Sequence, residues 1–260
     1  MMKIGIIGCG NIGRVVIRAV FEGVVDCEVV CVFDADRRGF EKLPKEVISC
    51  LLFTDKFDFF IMQDMDIVVE AASQEAVREF SAFVLGGGKD MMIMSVGALV
   101  DAGFRGQLVG LAKEKKVKIY IPSGAIAGID GLKSAMSAGV GGVVLTTSKP
   151  PSSLGVDTKT KRIIYDGYAE EAVRLFPKNV NVSATLALAG VGFEKTRVKI
   201  IADPNLKENV HEVVVRGDFG TFSVRVENVP SPDNPKTSYL AALSAIATLK
   251  KITSPLQIGT

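Results

Sequence analysis

The stretch KIGIIGCGNIG, residues 3–13, constrains the fold more than any other part of the chain. A short apolar run leads directly into Gly8, Gly10 and Gly13, and the following RVVIRAVFEG repeats its apolar residues at helical spacing. Strand, GxGxxG and helix in that order open a dinucleotide-binding unit. Gly8 allows the tight turn, Gly10 lets the backbone approach a pyrophosphate, and Gly13 lets the helix pack closely on the strand. Asn11 and Ile12 lie between them, where a helix N-terminus offers free N–H groups and a positive dipole end to phosphate. The next apolar run, CEVVCVF, ends in Asp34, 21 residues beyond Gly13. A carboxylate there meets the adenosine ribose hydroxyls. Arg37 and Arg38 follow and can accept a 2′-phosphate, so NAD and NADP both stay open.

Strands and helices then alternate. DIVVEAAS (66–73) reads as a buried parallel strand before the helix QEAVREFSAFVLGG, and KDMMIMSVGAL (89–99) as the next strand. VKIYIPSGA (117–125) reads as another strand, after the helix GQLVGLAKEKK. This succession predicts an α/β fold with a Rossmann-type doubly wound parallel sheet that binds ligands at the carboxyl ends of its strands. The small residues at those ends suit the close approach of a nicotinamide ribose and ring: Ala71, Ala72 and Ser73 after one strand, Gly97 and Ala98 after the next, and PSGA (122–125) after the last.

From Gly141 the pattern changes. GGVVLTTSKP is a strand broken at Pro150–Pro151, SSLGVDTKTK reads as an exposed loop, and KRIIYDGYAEEAVRLFP as a strand and short helix. A further helix begins near Asn181, followed by the strand TRVKIIAD and two strands, HEVVVR and TFSVRVENV, joined at GDFG. The expectation is a second α+β domain of mainly antiparallel strands over 125–236, after a dinucleotide domain over 1–124. The apolar-striped helix 237–251 is expected to pack back on the first domain. His211, the only histidine in the chain, shares a strand face with Val213 and Val215 and points to the covered side of this sheet. That position suits either a group exchanging protons near neutral pH or a hydrogen-bonded core histidine.

The balance of 31 Lys and Arg against 29 Asp and Glu, with signs mixed, excludes an extended nucleic-acid surface. No apolar run is long enough for a membrane span, and MMKIGIIGCG breaks into glycines too early for a signal peptide. Cys9, Cys27, Cys31 and Cys50 form no CxxC pair and have no clustered histidines, so no metal site is expected; all four read as small buried hydrophobes in the reducing interior of a cytoplasmic protein.

GCGNIG, EAASQEAV, SGAIAGIDGLKSA, FPKNVNVSATLALAG, NVHEVVVRGDFG and NPKTSYLAAL, in this order over nearly the whole chain, closely resemble the L-aspartate dehydrogenases. The resemblance implies NAD- or NADP-dependent oxidation of L-aspartate to iminoaspartate, which hydrolyses to oxaloacetate and ammonia or feeds NAD biosynthesis, in a homodimer. It makes His211 the active-site histidine, and Ala125 and Asn181 cofactor-contacting positions. Lys178, Lys236, Arg216 and Ser123 neighbour these motifs and are candidates for the substrate carboxylates. Two other readings keep the dinucleotide site: a dihydrodipicolinate-reductase-like or other amino- or imino-acid oxidoreductase, and a non-catalytic dinucleotide sensor.

Overall fold

The computed structural model describes residues 1–176, 181–232 and 234–260, and the side chains of Pro235 and Lys236 also lie outside the described set. The chain divides into two compact units, Met1–Pro122 with Ala242–Gln257, and Ser123–Ala241 with Ile258–Thr260.

In the first unit β1 (Met2–Ile7), β2 (Cys27–Phe33), β3 (Leu52–Thr54), β4 (Ile67–Glu70), β5 (Asp90–Ile93) and β6 (Ile119–Tyr120) form one sheet in the order β3-β2-β1-β4-β5-β6. Every pairing is parallel. The strand order reverses between β1 and β4, which opens the crevice where α/β sheets bind ligands. Parallel strands covered on both faces need continuous apolar sequence. All four residues of β4 are buried, and Ile67, Val68 and Val69 are each stabilised by roughly 1.5–3 kcal/mol through burial.

The helix Asn11–Phe21 follows the glycine loop directly. Gln74–Gly86 starts at Ser73, whose Oγ accepts from Ala76 N at 3.1 Å, and Ala102–Lys115 at Asp101, whose Oδ1 accepts from Phe104 N at 2.9 Å. From the last helix, Ala245, Ile246 and Leu249 join Ile4, Ile6, Val16 and Val69 in the core of this unit. The strands expected over 89–99 and 117–125 are shorter than their apolar runs. The first ends at Ile93 and passes into the 3-10 turn Val96–Val100, and the second keeps only Ile119 and Tyr120. β3 was not read from the sequence, because three residues are too few to show a period.

In the second unit β7 (Val140–Lys149), β8 (Arg162–Tyr168), β9 (Thr196–Ala202), β10 (Asn209–Gly217) and β11 (Gly220–Asn228) form a sheet in the order β11-β10-β7-β9-β8. Its pairings are antiparallel except β7 with β9, so the sheet is mixed. Burial alternates along β7, β10 and β11, as one-sided packing demands. The loop expected after Pro150 begins with a short helix, Pro151–Leu154, since proline suits the first turn.

Candidate active site

The first unit brings the carboxyl ends of its central strands together. Gly8 N donates to Phe33 O at 2.8 Å and Ala71 N to Ile7 O at 2.8 Å, which ties the glycine loop to the ends of β2 and β4. Gly8 has φ +97°, and a side chain there would run into Ala71 and Ala72. At Gly13 a Cβ would strike the Gly8 carbonyl, whereas at Gly10 it would meet only Ala71 O at 3.9 Å. Gly10 is exposed and hemmed in by nothing of the protein's own. Gly13 is therefore required by the fold, and the space over Gly10 remains for a ligand to approach the backbone.

Asp34 lies just past β2, and its Oδ2 accepts from Cys9 N at 2.7 Å while Oδ1 accepts from Asp36 N at 2.9 Å. The carboxylate is thus pinned against the glycine loop. The two arginines that could meet a 2′-phosphate already have neighbours: Arg38 pairs with Asp36 at 2.6 Å, and Arg37 lies over the Phe40 and Phe53 rings. Burial pushes the Cys9 thiol up to about 12, so beneath the loop it is a packing residue and not a nucleophile.

Behind the 71–73 loop is a buried carboxyl that the sequence reading did not single out. Glu70 Oε1 accepts from Ala72 N at 2.8 Å and from Ser95 Oγ at 2.8 Å, and Oε2 accepts from Ser95 N at 2.9 Å. Burial raises its pKa while the bonds from Ser95 and Ala72 pull it back. Glu70 clamps the ends of β4 and β5 and so sets the positions of Ala71, Ala72 and Ser73. Gly97 and Ala98, in the next loop, are buried, with the Gln74 side chain lying against Gly97.

The second unit holds a different cluster. Across its sheet Val215 faces Phe222 and Val143, Val213 faces Val224 and Leu145, and His211 faces Val226 and Thr147. One step further along the same face come Asn209 opposite Asn228, and Lys149 opposite Ala202. The face thus changes from apolar to polar along its length. At the polar end Asn209 is 9% exposed, Lys149 7%, Thr147 4%, Asn228 3% and His211 2%. Thr147 Oγ1 and His211 Nδ1 share a hydrogen bond of 2.9 Å. Asn228 Nδ2 donates to Ala125 O at 3.1 Å, which holds that loop to the sheet, while its Oδ1 is buried with no hydrogen-bond partner among the described residues.

Burial, with the Lys149 charge beside it, lowers the His211 imidazole to about 3, and burial alone lowers Lys149 to about 8. From its strand position the histidine fits either a group exchanging protons near neutral pH or a hydrogen-bonded core residue; in the free chain the ring is bonded to Thr147 and held neutral. Ala125 is buried at the start of this unit, and Asn181 is exposed at the start of the helix Asn181–Ala189. Arg216 does not share the His211 face, because it is exposed on the opposite one, and so it drops out as a carboxylate ligand at this cluster. Ser123 is half-buried, and Lys178 and the Lys236 side chain lie outside the described residues.

A parallel sheet of this order with a glycine loop at its switch point, joined in one chain to a mixed-sheet unit carrying a buried histidine cluster, defines an NAD(P)-dependent dehydrogenase of two units. The family model for the NAD-binding domain of homoserine dehydrogenase matches residues 8–122, and that for the C-terminal part of aspartate dehydrogenase matches residues 130–252. The chain is 50% identical to L-aspartate dehydrogenase of Methanosarcina acetivorans over 100% of both chains. It is 45% identical to that of Methanothermobacter thermautotrophicus over 100% of this chain and 99% of the other. Aspartate dehydrogenase of Thermotoga maritima superposes with a TM-score of 0.82 at 34% identity, over 100% of each chain. A scyllo-inositol dehydrogenase of Lactobacillus casei with bound NAD(H) superposes at 0.61 with 13% identity, a likeness of fold alone, over 100% of this chain and 91% of the other. The chain belongs to the L-aspartate dehydrogenase family.

Proposed function

We propose that this chain oxidises L-aspartate at its amine-bearing carbon with His211 as the proton-exchanging group. The observation that carries the reading is the buried polar end of the second sheet, where the only histidine is bonded to Thr147 and held neutral with Lys149 one step further along the same face.

Residues of the first unit fit the dinucleotide. The open approach over Gly10 and the N–H groups of Asn11, Ile12 and Gly13 suit the pyrophosphate, and Asp34 suits the ribose hydroxyls. Ala71, Ala72, Ser73, Gly97, Ala98, Ala125 and Asn181 are assigned to the remaining cofactor contacts. When bound, the nicotinamide supplies the acceptor for the hydride leaving Cα. The chain's own work is with protons. Cα releases hydride only once its ammonium has become a neutral amine, so a base is required first. With Nδ1–H donating to Thr147 Oγ1, His211 keeps a lone pair on Nε2 to take that proton. A pKa of about 3 would make a weak base, but an arriving dicarboxylate brings negative charge beside the ring and raises it. The unpartnered Asn228 Oδ1 suits the substrate amine N–H. The products of the redox step are iminoaspartate, reduced cofactor and a proton. Water then adds to the imine to give oxaloacetate and ammonia, and the same histidine activates the water; alternatively the imine passes on as a precursor for NAD biosynthesis.

The expected assembly is a cytoplasmic homodimer; a monomer by light scattering across micromolar concentrations would remove the dimer. The activity is tested by following reduced-nicotinamide absorbance with L-aspartate, and in reverse with oxaloacetate plus ammonium, for wild type and His211→Ala. Turnover that His211→Ala lowers by roughly 100-fold or more, with dinucleotide binding retained, supports the reading. Dinucleotide binding without turnover in either direction sinks it in favour of a sensor or another substrate.

A further inference from the structure

The buried cation beside the histidine has so far served only to help keep the ring neutral. Lysine is almost never fully buried without a role for its charge. In β7 the inward positions are Val143, Leu145, Thr147 and Lys149, so the alternation that buries the first two carries Lys149 inward at the strand's end. Thr147 is paired with His211 across the sheet, which sets Lys149 one step beyond the ring on the same covered face. Lys149 is also the charged group that acts on the His211 ring.

The chemistry of an α-amino acid makes this juxtaposition specific. The carbon that carries the amine also carries the α-carboxylate, so a histidine that takes a proton from the amine has that carboxylate next to it. A cation within a side chain's reach of the histidine is therefore met by a carboxylate whenever the amine is in place. Arg216 on β10 is exposed on the opposite face.

We propose that Lys149 is the specificity residue that grips a substrate carboxylate beside His211, through a charge-assisted hydrogen bond in a buried setting. The proposal rests on the aspartate-oxidising reading. Its test separates the two by using succinate, a dicarboxylate that has no amine and cannot react.

Succinate binding in the presence of NADH is measured by calorimetry, and KM and kcat for L-aspartate by steady-state kinetics, in wild type, Lys149→Met, Lys149→Gln and Lys149→Arg. NADH affinity and thermal unfolding are followed in the same samples. Lys149→Met keeps the length of the stem and Lys149→Gln keeps a hydrogen-bonding end. Both are expected to weaken succinate binding and raise KM for L-aspartate by about 10- to 100-fold, the range for a hydrogen bond to a charged group, with NADH affinity unchanged. Lys149→Arg should recover part of the loss. Succinate affinity equal to wild type in either uncharged variant overturns the role of Lys149. A wild type that neither binds succinate nor turns over L-aspartate overturns the substrate reading, and the Lys149 proposal with it.

Discussion

The neutral state of His211 has a thermodynamic signature that can be read without any substrate. The ring is held at about 3 in the folded chain against 6.5 when unfolded. The folded state therefore binds fewer protons than the unfolded state between those two values. Stability from this group is fully present above pH 6.5 and is lost as pH falls. At about 1.36 kcal/mol per unit the full difference is about 5 kcal/mol, and the part lost between pH 7.5 and pH 5 is about 2 kcal/mol. Lys149 contributes little in this window, because its own pKa is lowered to about 8 from 10.5 and its share of stability is lost above the window, as pH falls from 10.5 to about 8. The comparison is urea unfolding of wild type and His211→Asn at the two pH values. Asparagine can place an amide nitrogen near the position of Nδ1, keep the bond to Thr147 and not titrate. Wild type should lose about 2 kcal/mol more than the variant on acidification, a midpoint difference of about 0.7 M for an m-value of about 3 kcal/mol/M. Identical pH dependence in the two proteins would show that the ring is solvated or already charged, and the argument for a neutral buried base would fail.

In the glycine loop, Gly10→Ala should unfold within about 1 kcal/mol of wild type yet weaken NADH binding at least about tenfold by fluorescence titration, because its new methyl meets only Ala71 O at 3.9 Å and enters the space proposed for the pyrophosphate. Gly13→Ala should lose roughly 2–4 kcal/mol, since its methyl meets the Gly8 carbonyl; equal stability of the two variants would refute the distinction. Asp34→Ala should weaken NADH binding while improving NADPH relative to NADH, because the carboxylate pinned at the loop repels a 2′-phosphate; an unchanged ratio of dissociation constants would place the ribose elsewhere. Glu70→Gln sets an amide donor against a backbone N–H donor of Ser95 or Ala72 and should cost about 1–3 kcal/mol in denaturant unfolding; a neutral result would mean the clamp is not formed. Ellman's reagent should label Cys50 alone in the native chain and all four thiols in denaturant, because Cys9, Cys27 and Cys31 are buried and held at about 11–12; fast labelling of a second thiol would contradict that packing.

The glycine fingerprint, the first helix, Asp34 and the alternation of strand and helix were legible from the sequence because their signals are local. Turn geometry, helical period and strand period are all written within about a dozen residues. The motifs shared with L-aspartate dehydrogenases reached further and singled out His211, whose strand position alone fitted a core residue equally well. Neither source pointed to Lys149. The signal was present, since Val143, Leu145, Thr147 and Lys149 share one parity, but parity does not say which face is covered, and a lysine at a strand end before two prolines reads as solvated. Only the pairing of β7 with β10, between segments more than sixty residues apart, sets Thr147 on His211 and Lys149 just beyond it. Glu70 went unremarked for the same reason: as the last residue of an apolar strand it resembles the start of a loop until Ser95, 25 residues later, closes on it. Local chemistry determined the elements and the dinucleotide loop. Long-range strand register, which no short window encodes, decided which polar groups were buried together and that the His211 ring was held neutral among them.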